Sequence, residues 1–104
     1  MEKTYNKLVR DLIPQIIEGS GKSCCVSVLS DSEYLQKLDE KLSEELLEYY
    51  SEHSLEELAD LLEVLYASAI AHGYTIEELE KTRLQKRSAR GGFEEKKLLI
   101  SVRS

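Results

Sequence analysis

Residues that cap helices alternate along the chain with apolar residues at helical spacing, a pattern that predicts long helices. Ser30 and Glu33 have the spacing of a capping box and open a helix that runs to about Tyr50. At roughly 100° per residue, one stripe of this helix is apolar. The stripe consists of Leu38, Leu42, Leu46 and Tyr49.

A second long helix is predicted to begin after Ser54, which has its capping partner at Glu57, and to run to about His72 before Gly73. More than half of its circumference is apolar, so we expect it to be wrapped on several sides, by its own chain or by a partner. Its apolar residues are Leu55, Leu58, Ala59, Leu61, Leu62, Leu65, Tyr66, Ala69 and Ile70.

A third helix is predicted between the Thr75 cap, paired with Glu78, and Gly91-Gly92. Cys24–Leu29 alternates and is rich in valine, which favours a short strand, and Lys97–Val102 is predicted as a final strand that pairs with it. The fold class is therefore all-α with a minor two-stranded β element.

The N-terminal region predicts one further short helix, Leu12–Glu18. Asp11 is its candidate N-cap, Pro14 lies in the tolerant first turn and Gly19 ends the helix. No repeat or linker interrupts the 104 residues, so residues 1–104 are interpreted as a single domain. A core of this size profits from oligomerisation.

Two acidic pairs at i,i+3 spacing lie on the two long helices: Glu45 with Glu48, and Glu57 with Asp60. This spacing places both carboxylates of a pair on one face of a helix. Glu45 projects into the apolar stripe of the first helix, where an ionised carboxylate is costly unless a cation compensates it. Four carboxylates from two helices outline a site for a hard cation.

A plainer interpretation of the acids on the second helix is that they form its solvated side. Glu56, Asp60 and Glu63 project from its narrow polar face, with Glu57 at the border. Taken alone, that helix favours the solvated interpretation. Glu45 favours the metal site, although long glutamates also extend to solvent from apolar surfaces.

The net charge of −6 is distributed unevenly. Residues 31–80 carry fifteen acidic and two basic groups, whereas residues 81–104 carry eight basic and two acidic groups. This arrangement suits a metal site beside a phosphate-binding arm, and it also serves solubility. The negative total argues against a nucleic-acid-coating protein.

The two cysteines, Cys24 and Cys25, are adjacent, which provides neither a disulfide framework nor a zinc ligand set. No N-terminal signal sequence follows Met1, and the longest apolar stretch, Leu61–Ala71, is interrupted by Glu63 and too short to span a bilayer. We therefore expect a cytoplasmic protein with no membrane partner.

Three sequence motifs resemble those of the MazG-like, all-α nucleoside triphosphate pyrophosphohydrolase superfamily. The acidic motif is Glu44-Glu45-x-x-Glu48 followed by Glu57-x-x-Asp60. The opening Tyr5-Asn6-Lys7-Leu8-Val9-Arg10-Asp11-Leu12-Ile13-Pro14 and the closing Arg90-Gly91-Gly92-Phe93 are similar to its small phosphoribosyl-ATP pyrophosphohydrolase-like branch. One departure is the spacing, because only eight residues separate Glu48 from Glu57.

The resemblance implies roles for individual residues. The magnesium ligands would be Glu45, Glu48, Glu57 and Asp60, and the catalytic carboxylates would be Glu44, Glu45 and Glu48, with Glu44 or Glu48 orienting a water. Substrate contacts would come from Asn6, Lys7 and Arg10 in the opening motif and from Lys41, Arg83, Lys86 and Arg90.

Several of these assignments have alternatives. Lys41 either holds a phosphate or pairs with the neighbouring acids. Arg83, Lys86 and Arg90 share one face of the third long helix with Ile76 and Leu79, so they either meet a buried anion or form a solvated basic end. Gly91-Gly92 either admits a phosphate to the backbone or caps the helix.

The implied activity is Mg²⁺-dependent cleavage between the α- and β-phosphates of a nucleoside triphosphate or a phosphoribosyl-ATP-like substrate, giving a monophosphate and pyrophosphate. The implied architecture is a MazG-like helical bundle assembled as a homodimer or homotetramer, with the basic helix near a pocket at the subunit boundary. The alternatives are a non-catalytic metal- or nucleotide-binding module and a helical interaction domain.

Overall fold

The computed structural model describes all 104 residues and contains four α-helices and no strands. The helices are α1 (Ile13–Gly19), α2 (Asp31–Glu52), α3 (Leu55–Ala71) and α4 (Ile76–Arg90). α2 and α3 pack together as a helical hairpin, and α4 packs on α3. The prediction of an all-α fold is confirmed.

The predicted helix starts are confirmed by their hydrogen bonds. In α2, the Ser30 hydroxyl accepts from the Glu33 amide at 3.3 Å, and the Glu33 carboxylate accepts from the Ser30 amide at 3.2 Å. Thr75 and Glu78 form the same reciprocal box in α4. The Ser54 hydroxyl accepts from the Glu57 amide at 3.2 Å and caps α3.

The ends of the helices depend on left-handed backbone conformations. His53 closes α2 with φ 51°, and Gly73 follows α3 with φ 89°. Only His53 and Ser54 separate α2 from α3, so the helices fold back on each other through a two-residue connection. The short spacing between Glu48 and Glu57 is accommodated by this tight turn.

The predicted short helix forms as α1, with its bounds one residue later than expected and with Pro14 in its first turn. The prediction that Asp11 caps it is wrong. Leu12 occupies the N-cap position and no side chain accepts a capping hydrogen bond, because the backbone at Leu12 already has helical angles (φ −90°, ψ −3°). Asp11 therefore lies one residue too early to act as the cap.

The predicted two-stranded element is absent, so the predictions for Cys24–Leu29 and Lys97–Val102 are wrong. No backbone hydrogen bond joins the two segments. Their apolar side chains lie open, with Val28 98% and Ile100 88% exposed. Alternation favours a strand only where a neighbouring strand can pair with it, and neither segment has such a neighbour within the chain.

The inner face of α2 matches most of the predicted apolar stripe. Leu38 is buried, and Leu42 and Tyr49 are half-buried. Glu45 lies among them with only 6% of its surface exposed, as its position in the stripe predicts. Leu46, in contrast, is 38% exposed at the edge of the helix.

The second long helix turns part of its polar face towards α2. Its acidic side, with half-buried Glu57 and Asp60, contributes to the contact with α2, next to buried Val64. A stripe of leucines on the far side remains exposed, at 44–82% of each residue; this α3 leucine stripe comprises Leu55, Leu58, Leu62 and Leu65. Glu57 and Asp60 therefore face α2, as the predicted four-carboxylate site requires, whereas Glu56 and Glu63 are exposed, as the solvated interpretation expects.

The chain does not complete a core by itself. Only Leu38, Val64 and Glu45 are buried. The radius of gyration is 18.3 Å, whereas a compact domain of this length has about 13 Å. The principal extents, 62 × 31 × 24 Å, describe an elongated molecule. None of the helices combines the length and hydropathy that a membrane span requires.

The capping box of α2 provides a test of this local structure. Replacing Ser30 with Ala removes the acceptor for the Glu33 amide, so we expect Ser30→Ala to lower the free energy of unfolding by about 1 kcal/mol. Urea unfolding followed by circular dichroism measures this change. Ser27→Ala, at an exposed position outside any helix, is the control and should change the midpoint little.

Candidate metal centre

Three carboxylates meet between α2 and α3. Glu45 comes from the inner face of α2, and Glu57 and Asp60 come from successive turns of α3. One carboxylate oxygen from each residue lies within 4.8 Å of the other two. The tight turn at His53 and Ser54 sets the two helices side by side and so brings acids that are twelve and fifteen residues apart into one cluster.

Two oxygen atoms in this cluster are buried without a hydrogen-bond partner: Oε2 of Glu45 and Oε2 of Glu57. The Glu45 side chain is only 8% exposed, so water does not solvate it freely. A buried carboxylate oxygen without a partner is costly, and native proteins pair such groups or use them to coordinate metals. The unpaired oxygens and the all-oxygen donor set both fit a hard divalent cation.

Burial raises the pKa of the Glu45 carboxyl above its ordinary value. Lys41 opposes this shift, with its Nζ 3.2 Å from Oε1 of Glu45, whereas the negative charges of Glu48 and Asp60 reinforce it. Proton binding is thus favoured where three acids converge. A divalent cation would favour the ionised carboxylate instead, because its charge opposes both the desolvation and the repulsion.

Glu44 lies beside the centre and is held by two lysines. Lys7 Nζ lies 2.9 Å and Lys41 Nζ 3.5 Å from Glu44 Oε1. Desolvation tends to raise the pKa of Glu44, but the Lys7 hydrogen bond and the two lysine charges outweigh it, and the pKa lies below its ordinary value. The hydrogen bond to Glu44 in turn raises the pKa of Lys7.

Arg10 reaches the centre from the N-terminal segment. Its guanidinium Nη2 donates to Asp60 Oδ1 at 2.6 Å, and Nη1 lies 3.7 Å from Glu63 Oε1. The opening motif therefore contacts the acidic helices through Lys7 and Arg10. The sequence analysis placed both residues near substrate but did not predict these ion pairs. The feature that could have indicated them is the combination of a basic opening motif with a strongly acidic middle of the chain.

Glu48 lies outside the group of three. It is exposed on α2, one turn beyond Glu45, and its negative charge contributes to the raised pKa of Glu45. Of the four predicted ligands, the structure brings together Glu45, Glu57 and Asp60. Lys41 pairs with Glu44 and Glu45, which is one of its two predicted roles.

The predicted basic arm of α4 lies apart from these acids. Arg83 pairs with Glu80 on its own helix at 2.8 Å, and Lys86 and Arg90 are exposed without an ion pair. Gly91 ends α4 with φ 85°, a conformation that favours glycine, and its amide donates to the Arg87 carbonyl at 2.8 Å. The structure thus shows Gly91 as a helix end.

Asn6 has a left-handed backbone conformation with φ 47°, and its carbonyl accepts from Lys37 Nζ at 3.3 Å. This contact fastens the opening motif to α2 beside the Lys7–Glu44 pair. The backbone of Asn6, rather than its amide group, makes this bond.

An open cleft of about 560 Å³ extends from the carboxylates. Arg10, Lys41, Glu45 and Asp60 lie along its polar part. Its remaining wall is largely apolar and comes from the N-terminal segment, α1 and the inner faces of α2 and α3; it includes Leu8, Val9, Ile13, Ile16 and Leu38. An apolar cleft with a few convergent charged groups is the usual form of a small-molecule site. The sequence did not reveal this wall, because its residues come from separate segments.

Comparison with known proteins shows similarity over part of the chain to another protein. An uncharacterized protein of Mycolicibacterium smegmatis is 50% identical over 42 residues, which cover 40% of this chain and 43% of that protein. The chain thus matches less than half the length of this relative. No family model and no solved structure matches the chain.

Metal binding is measurable without any assay of activity. We expect Mg²⁺ or Mn²⁺ at ten times its Kd to stabilise the fold by about 1.4 kcal/mol, which raises Tm by several degrees. Glu45→Gln should abolish this shift and leave the metal-free Tm equal or higher, because it removes a charge from a crowded acidic cluster. Differential scanning calorimetry measures both effects.

The control is Glu52→Gln, which neutralises an exposed acid at the end of α2 outside the cluster. It should keep the full metal-dependent rise in Tm. An equal rise in Glu45→Gln and in the parent protein would show that the ion binds elsewhere.

Proposed function

We propose that this protein is a magnesium-dependent nucleotide pyrophosphohydrolase of the MazG-like superfamily, acting on a nucleoside triphosphate or a phosphoribosyl-ATP-like substrate in the cytoplasm. The observation that carries the proposal is the buried Glu45, with Oε2 unpartnered beside Glu57 and Asp60. The acidic, opening and closing motifs support it through their resemblance to that superfamily.

The ligands in this proposal are Glu45, Glu57 and Asp60, with exposed Glu48 as the fourth acid. When bound, magnesium would neutralise phosphate charge and lower the pKa of a coordinated water. Glu48 is free of ion pairs and one turn from Glu45, so it suits the role of orienting the attacking water better than Glu44. Glu44 is already engaged by Lys7 and Lys41.

The charges around the centre suit a polyphosphate chain. Lys7, Arg10 and Lys41 surround the acids, and each is held within salt-bridge distance of a carboxylate. A bound cation would satisfy the carboxylates and leave these side chains available for phosphate oxygens. The apolar wall of the cleft then offers a surface for the nucleoside part of the substrate.

A second candidate is a metal- or nucleotide-binding module without turnover. The observation that favours it is the pairing of Lys41 with Glu45 and of Arg10 with Asp60, which partly neutralises the centre in the absence of any ion. In this alternative the cluster binds a metal ion or a nucleotide but hydrolyses nothing.

The two candidates differ in the products that they form. The enzyme should release pyrophosphate and a nucleoside monophosphate in a magnesium-dependent manner across part of a nucleotide panel. A phosphate assay with and without added inorganic pyrophosphatase measures this, because pyrophosphate is detected only after its hydrolysis. Glu45→Gln should lower kcat/KM by more than about 100-fold, beyond the effect of residues that merely support a ligand, and Glu52→Gln should not.

Direct release of orthophosphate with a nucleoside diphosphate would show that a different bond is cleaved. Magnesium-dependent nucleotide binding with no product from any nucleotide would favour the module over the enzyme.

We further propose that the protein is a homodimer or a larger homo-oligomer. Apolar side chains on the outer faces of both long helices support this: Leu47 and Tyr50 on α2 are 67% and 58% exposed, and the α3 leucine stripe is also open. A symmetric partner commonly covers a surface of this kind. The basic residues Arg83, Lys86 and Arg90, which form no ion pair with Glu45, Glu57 or Asp60 of their own chain, would then approach a pocket at or near the interface.

Light scattering at micromolar concentration should give at least twice the chain mass of 11.9 kDa. Leu62→Glu, which places a charge in the leucine stripe, should shift the protein towards monomer. Val26→Glu is the matched control, because Val26 is 58% exposed outside the helices. A stable, active monomer would overturn the assembly proposal.

A further inference from the structure

The C-terminal tail, Lys96–Ser104, is an apolar and basic segment that extends from the folded helices. Leu98, Leu99, Ile100 and Val102 are 79–88% exposed. The only ion pair that a side chain of the tail forms is that of Lys97 with Glu95, at 3.2 Å. Contiguous apolar groups left in water mark a contact surface, since their burial is favourable by about 25 cal/mol per Å².

The charge of the tail is opposite to that of the helical hairpin. Lys96, Lys97 and Arg103 make the tail basic, and it contains no acid. The hairpin, residues 31–71, carries twelve acidic and two basic groups. The α3 leucine stripe lies on this acidic hairpin and is exposed. The basic tail and the acidic hairpin that carries the stripe therefore have opposite net charge.

The dimensions of the two surfaces also match. In an extended chain, alternate side chains share a face, which puts Leu98, Ile100 and Val102 together over about 13 Å. The α3 leucine stripe extends from Leu55 to Leu65, about 15 Å along the helix at roughly 1.5 Å per residue. Leu99 and Ser101 then point away from the contact.

We infer that the tail of one copy docks in an extended conformation along the α3 leucine stripe of a second copy, an inference that rests on the homodimer proposed above. Within one chain the tail does not cover the stripe, because both remain exposed. When two copies exchange their tails, the tail and the α3 leucine stripe of each copy are covered. Each copy gives one tail and receives one, which closes the assembly with two-fold symmetry.

The test compares dimer dissociation constants by sedimentation equilibrium. Leu98→Glu with Ile100→Glu places two charges on the docking face, and we expect it to raise the Kd of the dimer at least about tenfold, as should truncation after Glu95. Leu99→Glu adds a charge to the opposite face of the same tail and should change Kd less than about threefold. Added NaCl should weaken the parent dimer more than the truncated one, because it screens the opposite charges.

A cross-linking experiment identifies the chain that the tail contacts. A photo-crosslinking amino acid at position 100 is introduced into both ¹⁴N- and ¹⁵N-labelled protein, and the two are mixed, equilibrated and irradiated. We expect links between the tail of one label and the peptide containing residues 55–65 of the other. Links confined to a single label would show that the tail docks on its own chain, which overturns the inference.

The outcomes separate this inference from the proposals on which it rests. A monomeric parent protein would overturn the homodimer and the tail contact together. A dimer with the same Kd after truncation, or one weakened equally by Leu99→Glu and by the double substitution, would overturn only the tail contact. Mg²⁺-dependent stabilisation of each variant, measured in parallel, reports the metal centre independently and confirms that the hairpin is folded.

Discussion

The burial of one carboxylate between two helices is the constraint on which this structure depends. Glu45 occupies a position where the α2 stripe would otherwise be apolar, and only Leu38 and Val64 are buried with it. The hairpin therefore has an acidic group at the centre of a very small core. Lys41 compensates part of the cost, and one oxygen of Glu45 remains without a partner. The contact between α2 and α3 is thus organised around a charge and provides little apolar burial.

The same constraint explains the arrangement of the basic residues. Acids that converge repel one another, and each nearby cation relieves part of that repulsion. Lys41 is on the same helix, whereas Lys7 and Arg10 come from the N-terminal segment and tie it to the hairpin. These ion pairs fasten the N-terminal segment to the hairpin, and the segment contributes in turn part of the apolar wall of the cleft.

Local signals made the helices and part of the centre predictable from the sequence. Ser30, Ser54 and Thr75 each cap a helix through a side-chain bond to a residue three positions later, so a short stretch of sequence contains the whole interaction. The position of Glu45 within a leucine stripe likewise needs only helical periodicity. Its meeting with Glu57 and Asp60 was suggested by the paired acids on both helices.

Features that depend on distant partners were not predictable in this way. The alternation in Cys24–Leu29 and Lys97–Val102 suggested strands, but pairing requires a neighbour that periodicity does not provide. The exposure of the α3 leucine stripe was not predictable for a related reason: a helix that is apolar over most of its circumference does not itself indicate which apolar residues its own chain will leave uncovered. The ion pairs of Arg10 connect residues fifty positions apart, beyond any local pattern.

The two-residue connection at His53 and Ser54 fixes how the acids of α2 and α3 are aligned with each other. A residue inserted within either helix, between the acids and this turn, would rotate the acids by roughly 100° about the helix axis and shift them by roughly 1.5 Å along it. Such a change would carry Glu45 away from Glu57 and Asp60, even though all three acids remained in the sequence. We therefore expect changes of length to disturb the cluster less in the extended segment between α1 and α2 than in the helical turns that flank His53 and Ser54. The spacing of the acids along the chain is as much a part of the centre as their chemistry.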